Sequence, residues 1–134
     1  MASPARAEPR PAPSRQRDRL PLAVGLDTAS VVLFVALGRR SHEEESGLGA
    51  VLGTAAPFLI ALVVAWVVVR AWRRPERIGT GLAIWPLTVG VGMLLRRFVF
   101  DDGTALPFVI VATIFLGACF LGWRAALRLL EHRR

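Results

Sequence analysis

The sequence predicts an all-α protein, a four-transmembrane-helix bundle, and three observations point there. Four apolar runs divide a chain of 134 residues, 54% of the residues are apolar at a mean hydropathy of +0.49, and nearly all the charge lies between the runs. A soluble domain of this length buries only about two-thirds of its unfolded surface, which leaves too little interior for so many Val, Leu, Ile, Ala and Phe side chains. About 20 apolar residues, rising about 1.5 Å each in a helix, cross a hydrocarbon core of about 30 Å. None of the runs alternates polar with apolar residues as a half-buried strand does, so helices are the economical reading.

The opening segment, residues 1–19, reads MASPARAEPRPAPSRQRDR and has no large apolar residue beyond Met1. It cannot build a core and is expected to be a disordered or interfacial tail. The membrane domain then covers residues 20–130. Its first helix is expected over 20–38, LPLAVGLDTASVVLFVALG. A signal peptide is the rival there, but the run exceeds the usual core of about 7 to 15 residues, carries Asp27 and lacks a clear small-residue cleavage site. The second helix is expected over 48–69, the third over 78–95 and the fourth over 105–123, the last continuing into the amphipathic turns RAALRLLEHR.

Arginine sets the orientation. All seventeen basic residues are arginine. Thirteen of them fall in the N-terminal tail, the connection Arg70 to Arg77 and the C-terminal end, against four in Arg39-Arg40 and Arg96-Arg97. This positive-inside split places both termini in the cytoplasm of a plasma-membrane protein. The net charge of +7 does not signal nucleic acid, because the arginines form short clusters between apolar runs rather than one groove or helix face. The single cysteine, Cys119, permits no intrachain disulfide.

Six letters occur almost twice, GTAAPF at 53–58 and GTALPF at 103–108, both on the outer side where the chain re-enters the membrane. One reading is helix-start grammar, in which Thr54 or Thr104 caps backbone N–H groups and Pro57 or Pro107 occupies the first turn. If the second helix instead begins near Leu48, Pro57 lies inside it and bends it. Arg39-Arg40 and Arg96-Arg97 close the first and third runs in a matching way, so the chain reads as two parallel helical-hairpin repeats. Pro86 lies near mid-span in the third helix, beside Trp85, as an architectural kink or as the source of a free carbonyl.

Among polar residues Asp27 stands out, since a carboxylate inside a membrane needs a polar interior, a partner or a proton. Structural pairing with Arg124, at the far end of helix four, or with Thr88 is one reading, a substrate, ion or proton role is a second, and simple exposure near the interface is a third. Arg39 and Arg96 favour helix C-termini electrostatically, and with Thr54 and Thr104 they could also form an outward-facing anion pocket. His42 before three glutamates does not give metal-ligand spacing. Trp66, Trp72 and Trp123 suit an interfacial belt, and Gly90-Val91-Gly92, Gly25 with Ala29, and Ala118 with Gly122 suit close helix packing. No catalytic triad, phosphate loop, dinucleotide fingerprint or zinc motif is present, so the sequence assigns no cofactor and disfavours an enzyme.

Taken in order, Asp27, then Gly38, Arg39 and His42, then Thr54 to Phe58, Trp85-Pro86, Arg96 and Gly122-Trp123-Arg124 resemble the family called domain of unknown function 3054. The resemblance covers about residues 20–130 and implies a small bacterial or archaeal membrane protein, of a kind common in actinobacteria, without implying an activity. The expected function is transport-related or anion-sensing through an outward-facing polar site built from Asp27, Arg39, His42, Thr54, Arg96 and Thr104. Pro57, Pro86, Pro107, Trp123 and Arg124 are the expected structural residues. The alternative is a membrane scaffold or accessory subunit. Expected partners are the lipid bilayer and a second copy or another membrane protein.

Overall fold

The computed structural model describes residues 13–41, 47–100 and 105–134. Among them the regular structure is α1 Pro13–Ser41, α2 Leu48–Val69, a short 3-10 turn Ala71–Arg73, α3 Ile78–Phe98 and α4 Leu106–His132. The all-α expectation holds, and each helix has a stretch long and apolar enough to cross a membrane, at mean hydropathies of 2.1, 2.4, 1.7 and 2.2 in chain order. The protein is a membrane protein built of four such helices.

Consecutive helices pack side by side and α4 returns to α1, giving a ring of four. The shared core is built from residues at helical spacing, Val31, Phe34 and Val35 on α1 and Ala112, Leu116 and Phe120 on α4 among them. Small residues set how closely the helices approach. A β-carbon added at Gly92 would stand 2.5 Å from the Phe58 ring, and one at Gly117 would stand 2.6 Å from the Trp85 indole. The outward faces are apolar, with Leu33, Val63, Leu82 and Ile114 at least half exposed, as expected of side chains solvated by lipid tails rather than water.

The boundaries depart from the sequence expectation at the start of α1, at the ends of α1 and α3, which run three residues further to Ser41 and Phe98, and at the hexapeptides. α1 already begins at Pro13, so the part of the tail from residue 13 onward continues the helix. As the RAALRLLEHR turns predict, α4 runs on to His132, and at about 1.5 Å per residue it outreaches a hydrocarbon core of about 30 Å. The two hexapeptides do not play the same part. α2 starts at Leu48, which places Thr54 within the helix rather than at its cap, and Pro57 is interior and buried. Pro107 does sit in the first turn of α4. The helix-start reading therefore fails for the first copy, because the apolar stretch from Leu48 extends the helix past the proline's tolerated position. Pro86 also lies inside its helix.

α2 ends where Arg70 takes the left-handed conformation, φ 55° and ψ 50°, and its N–H bonds back to the carbonyls of Trp66 and Val67. The chain then folds over the end of the bundle with Ala71 and Pro75 buried. This turn brings a backbone carbonyl to the site described next.

Candidate functional site

On α1, Ala23, Asp27, Ser30, Val31 and Phe34 share one buried face at spacings of three and four residues. Asp27 therefore points into the bundle and has no exposed surface. On α4 the same periodicity brings Leu116, Phe120 and Arg124 inward, and Arg124 is likewise fully buried.

The two side chains meet as a bidentate ion pair, the geometry in which a guanidinium best matches a carboxylate. Arg124 Nη1 donates to Asp27 Oδ1 at 3.0 Å and Nη2 donates to Oδ2 at 2.8 Å. Each carboxylate oxygen accepts one further bond, Oδ1 from the Trp123 indole at 2.9 Å and Oδ2 from the Trp66 indole at 3.1 Å. A carboxylate offers about four acceptor positions, and all are filled from within the fold. Arg124 is equally engaged. Its Nε donates to the Pro75 carbonyl at 2.9 Å, Nη1 also reaches the Phe120 carbonyl at 2.8 Å, and the guanidinium carbon lies 4.3 Å from the Trp123 ring centroid. The centre thus ties α1, α2, the α2–α3 connection and α4 together.

Gly81 on α3 completes it. A β-carbon there would stand 2.9 Å from Arg124 Cδ and 3.4 Å from Nε, so the absent side chain is what admits the arginine stem. The Thr88 partner considered from sequence is not used. Its hydroxyl is buried with no hydrogen-bond partner among the described residues. Nor are Trp66 and Trp123 simple belt residues, since both indoles turn inward to Asp27, whereas Trp72 stays 45% exposed.

The other end of the bundle is built differently. The Phe34 ring lies 5.9 Å from Phe58, 5.6 Å from Phe108 and 5.7 Å from Phe115, centroid to centroid, and Phe58 lies 6.0 Å from Phe108. The last residues of the two hexapeptides thus touch. The Arg96 guanidinium sits 4.4 Å over the Phe108 ring. Phe58 packs on Gly92, and Thr54 and Arg96 each lie one helical turn beyond that contact toward the same end.

The expected site residues therefore divide. Sixteen residues of α4 separate Phe108, under Arg96, from Arg124, on Asp27, which is about 24 Å along the helix. Direct proton transfer needs groups about 3 Å apart or one water between them, so Asp27 and Arg96 do not form one reactive centre. Arg39 lies near the end of α1 with its side chain outside the described residues, and His42 and Thr104 lie outside them altogether. Among the described residues no group of three His, Cys, Asp or Glu side chains is placed to hold a metal ion.

Sequence reasoning missed three members of the centre, namely Trp66 as a donor, the Pro75 carbonyl and Gly81. Nothing in the sequence marks Gly81, whose part is to lack a β-carbon beneath an arginine stem from another helix.

Four apolar helices closed around a buried, hydrogen-bonded carboxylate–guanidinium pair define a polytopic helical membrane protein with a buried ionic centre. The chain belongs to the family described as Protein of unknown function (DUF3054), which it matches over residues 24–127, a span that includes both Asp27 and Arg124. No curated protein and no solved structure is matched.

Proposed function

We propose that the protein is a structural membrane module, a scaffold or accessory subunit that packs against another membrane protein or a second copy, and that Asp27 is its internal fastening. One observation carries this reading. Every acceptor position of Asp27 is taken by Arg124, Trp66 and Trp123, so the one acid inside the membrane has none left for a substrate or ion. Open approaches for a partner helix support it. A β-carbon added at the exposed Gly25, Gly90 or Gly122 would meet nothing within 4 Å. The arginine distribution orients the bundle with both termini and the Arg70 to Arg77 connection in the cytoplasm. The touching phenylalanines of the two hexapeptides accord with two parallel hairpins about an axis along the membrane normal.

The anion-sensing alternative retains Thr54 and Arg96 among the described residues, at the end remote from Asp27. Thermal stability of the purified protein, wild type beside Asp27→Asn, over a panel of anions, cations and small metabolites separates the two. The structural reading expects the variant to be less stable throughout and no ligand to stabilise the wild type selectively. A ligand that raises the wild-type Tm but not that of the variant refutes it.

A further inference from the structure

At the end of the bundle opposite Arg96, beyond the buried centre, lies a half-open cavity of about 450 Å³, within the size range of small-ligand sites. Three arginines from three elements line it, Arg19 on α1, Arg77 at the start of α3 and Arg128 in the last turns of α4. Glu76 and Glu131 line it too, but both are engaged with Arg19. Among the described residues neither Arg77 nor Arg128 forms an ion pair. Three cations against two anions leave the lining positive by one, and the two guanidinium groups without an acid are the ones free to act.

Their depth identifies the anion. Arg19 immediately precedes the apolar run that opens at Leu20, Arg77 immediately precedes the first residue of α3, and Arg128 lies one turn past the buried Arg124. All three therefore stand at the boundary where the apolar spans end, the level at which lipid phosphates lie. Ile78 and Leu127 add apolar wall to the same cavity. A soluble anion has no use for that wall, whereas the glycerol and first methylenes of a lipid do.

We propose that this cavity binds the phosphate of an anionic lipid headgroup, with Arg77 and Arg128 as its cationic contacts and the ion-paired Arg19–Glu76–Glu131 group as its back wall. Guanidinium matches phosphate oxygens in a fork, and a basic residue near a membrane surface favours an anionic lipid by about five-fold.

The test uses the full chain in zwitterionic detergent, with lipid retention read by native mass spectrometry during titration with phosphatidylglycerol or phosphatidylcholine. The wild type is expected to prefer phosphatidylglycerol, and Arg77→Gln with Arg128→Gln to reduce that preference by about twenty-five-fold, the product of two such factors. The Tm of the double variant in phosphatidylcholine should match that of the wild type, because neither arginine belongs to the described ion pairs. Arg133→Gln with Arg134→Gln removes equal charge outside the cavity lining and should leave the preference intact. Glu131→Gln should not weaken it. An equal loss in the Arg133 and Arg134 variant would overturn the proposal in favour of diffuse surface charge. Equal competition by inorganic phosphate at matched concentration would overturn the lipid assignment and indicate a soluble anion. Retention of the preference in the Arg77 and Arg128 variant would overturn the site itself.

Discussion

Replacing Asp27 by Asn removes a charge while keeping the side-chain volume, and the surroundings fix what that costs. Four donors now converge on the carboxylate, two from Arg124 and one each from Trp66 and Trp123. An amide has one acceptor oxygen, and its NH₂ group would face the guanidinium. Arg124 would keep the Pro75 and Phe120 carbonyls and at most a bond to the amide oxygen, with no counter-charge for its buried positive group. Breaking a buried pair from one side costs about 3–5 kcal/mol, mostly because the remaining charge is uncompensated. Arg124→Gln should cost a similar amount, since it strands the carboxylate and also releases the Pro75 carbonyl from the guanidinium. The double variant leaves no stranded charge. Its cost should therefore fall short of the sum by about 2–3 kcal/mol, the upper part of the range for residues in contact. Equilibrium unfolding in mixed micelles, followed by tryptophan fluorescence and far-ultraviolet circular dichroism, measures all four proteins. Salt up to about 0.5 M should change the coupling little, because buried pairs are weakly screened. Single variants within about 1 kcal/mol of wild type, with an additive double variant, would refute the claim that the pair fastens the fold.

Further expectations follow from the same contacts. Gly81→Ala should displace the Arg124 stem, lower stability by about 1–3 kcal/mol as overpacking does, and shift the emission of Trp123, which a change remote from the ion pair would not. Gly117→Ala should cost a similar amount through Trp85, whose indole is held at 2.8 Å by the Thr113 carbonyl and cannot simply swing away; a Tm unchanged from wild type would show that the indole has another place to go. In a Cys119→Ala background, cysteines placed at Glu131 and Gly47 should react with an impermeant maleimide from opposite sides of the membrane, Glu131→Cys from the cytoplasm. Labelling of both from one side would contradict the four-span topology.

The four spans were legible because lipid removes the usual ambiguity of apolar runs. A stretch that must satisfy its own backbone across about 30 Å announces both its type and its length. The α2 limits at Leu48 and Val69 matched for that reason, even though the proline rule argued for a later start. The Asp27–Arg124 pair was legible in part. Few partners stand near an acid seven residues into the first apolar run, and an arginine at the close of the last run was one of two named. The choice against Thr88 depended on which way α3 faces, and apolar composition does not carry that rotation. The tryptophans misled for a related reason. Their places near the ends of the runs fix depth along the membrane normal, but an indole at that depth can face headgroups or the bundle, and only the position of Asp27 decides. Gly81 was invisible because its role is the absence of a β-carbon beneath a side chain contributed by another helix.

Four mostly apolar helices can close into a ring in either hand and at several registers with similar burial, because a helix gains little hydrophobic free energy by leaving lipid for a neighbour. The ionic centre breaks that degeneracy. Arg124 reaches Asp27 and the Pro75 carbonyl together only when α4 lies beside α1 and the Arg70 to Pro75 turn folds over the same end. Gly81 permits this only with α3 rotated to present its bare backbone to the arginine stem. An alternative ring would bury the carboxylate or the guanidinium without its partner, at the cost worked out above. On this argument the pair contributes selectivity for one arrangement more than net stability, as buried ion pairs elsewhere often do not exceed an apolar replacement in stability. A substitution that removes both charges should then leave a bundle that still inserts but loses its single arrangement, visible as broadened amide spectra beside an unfolding transition displaced by less than the two single variants' shifts combined.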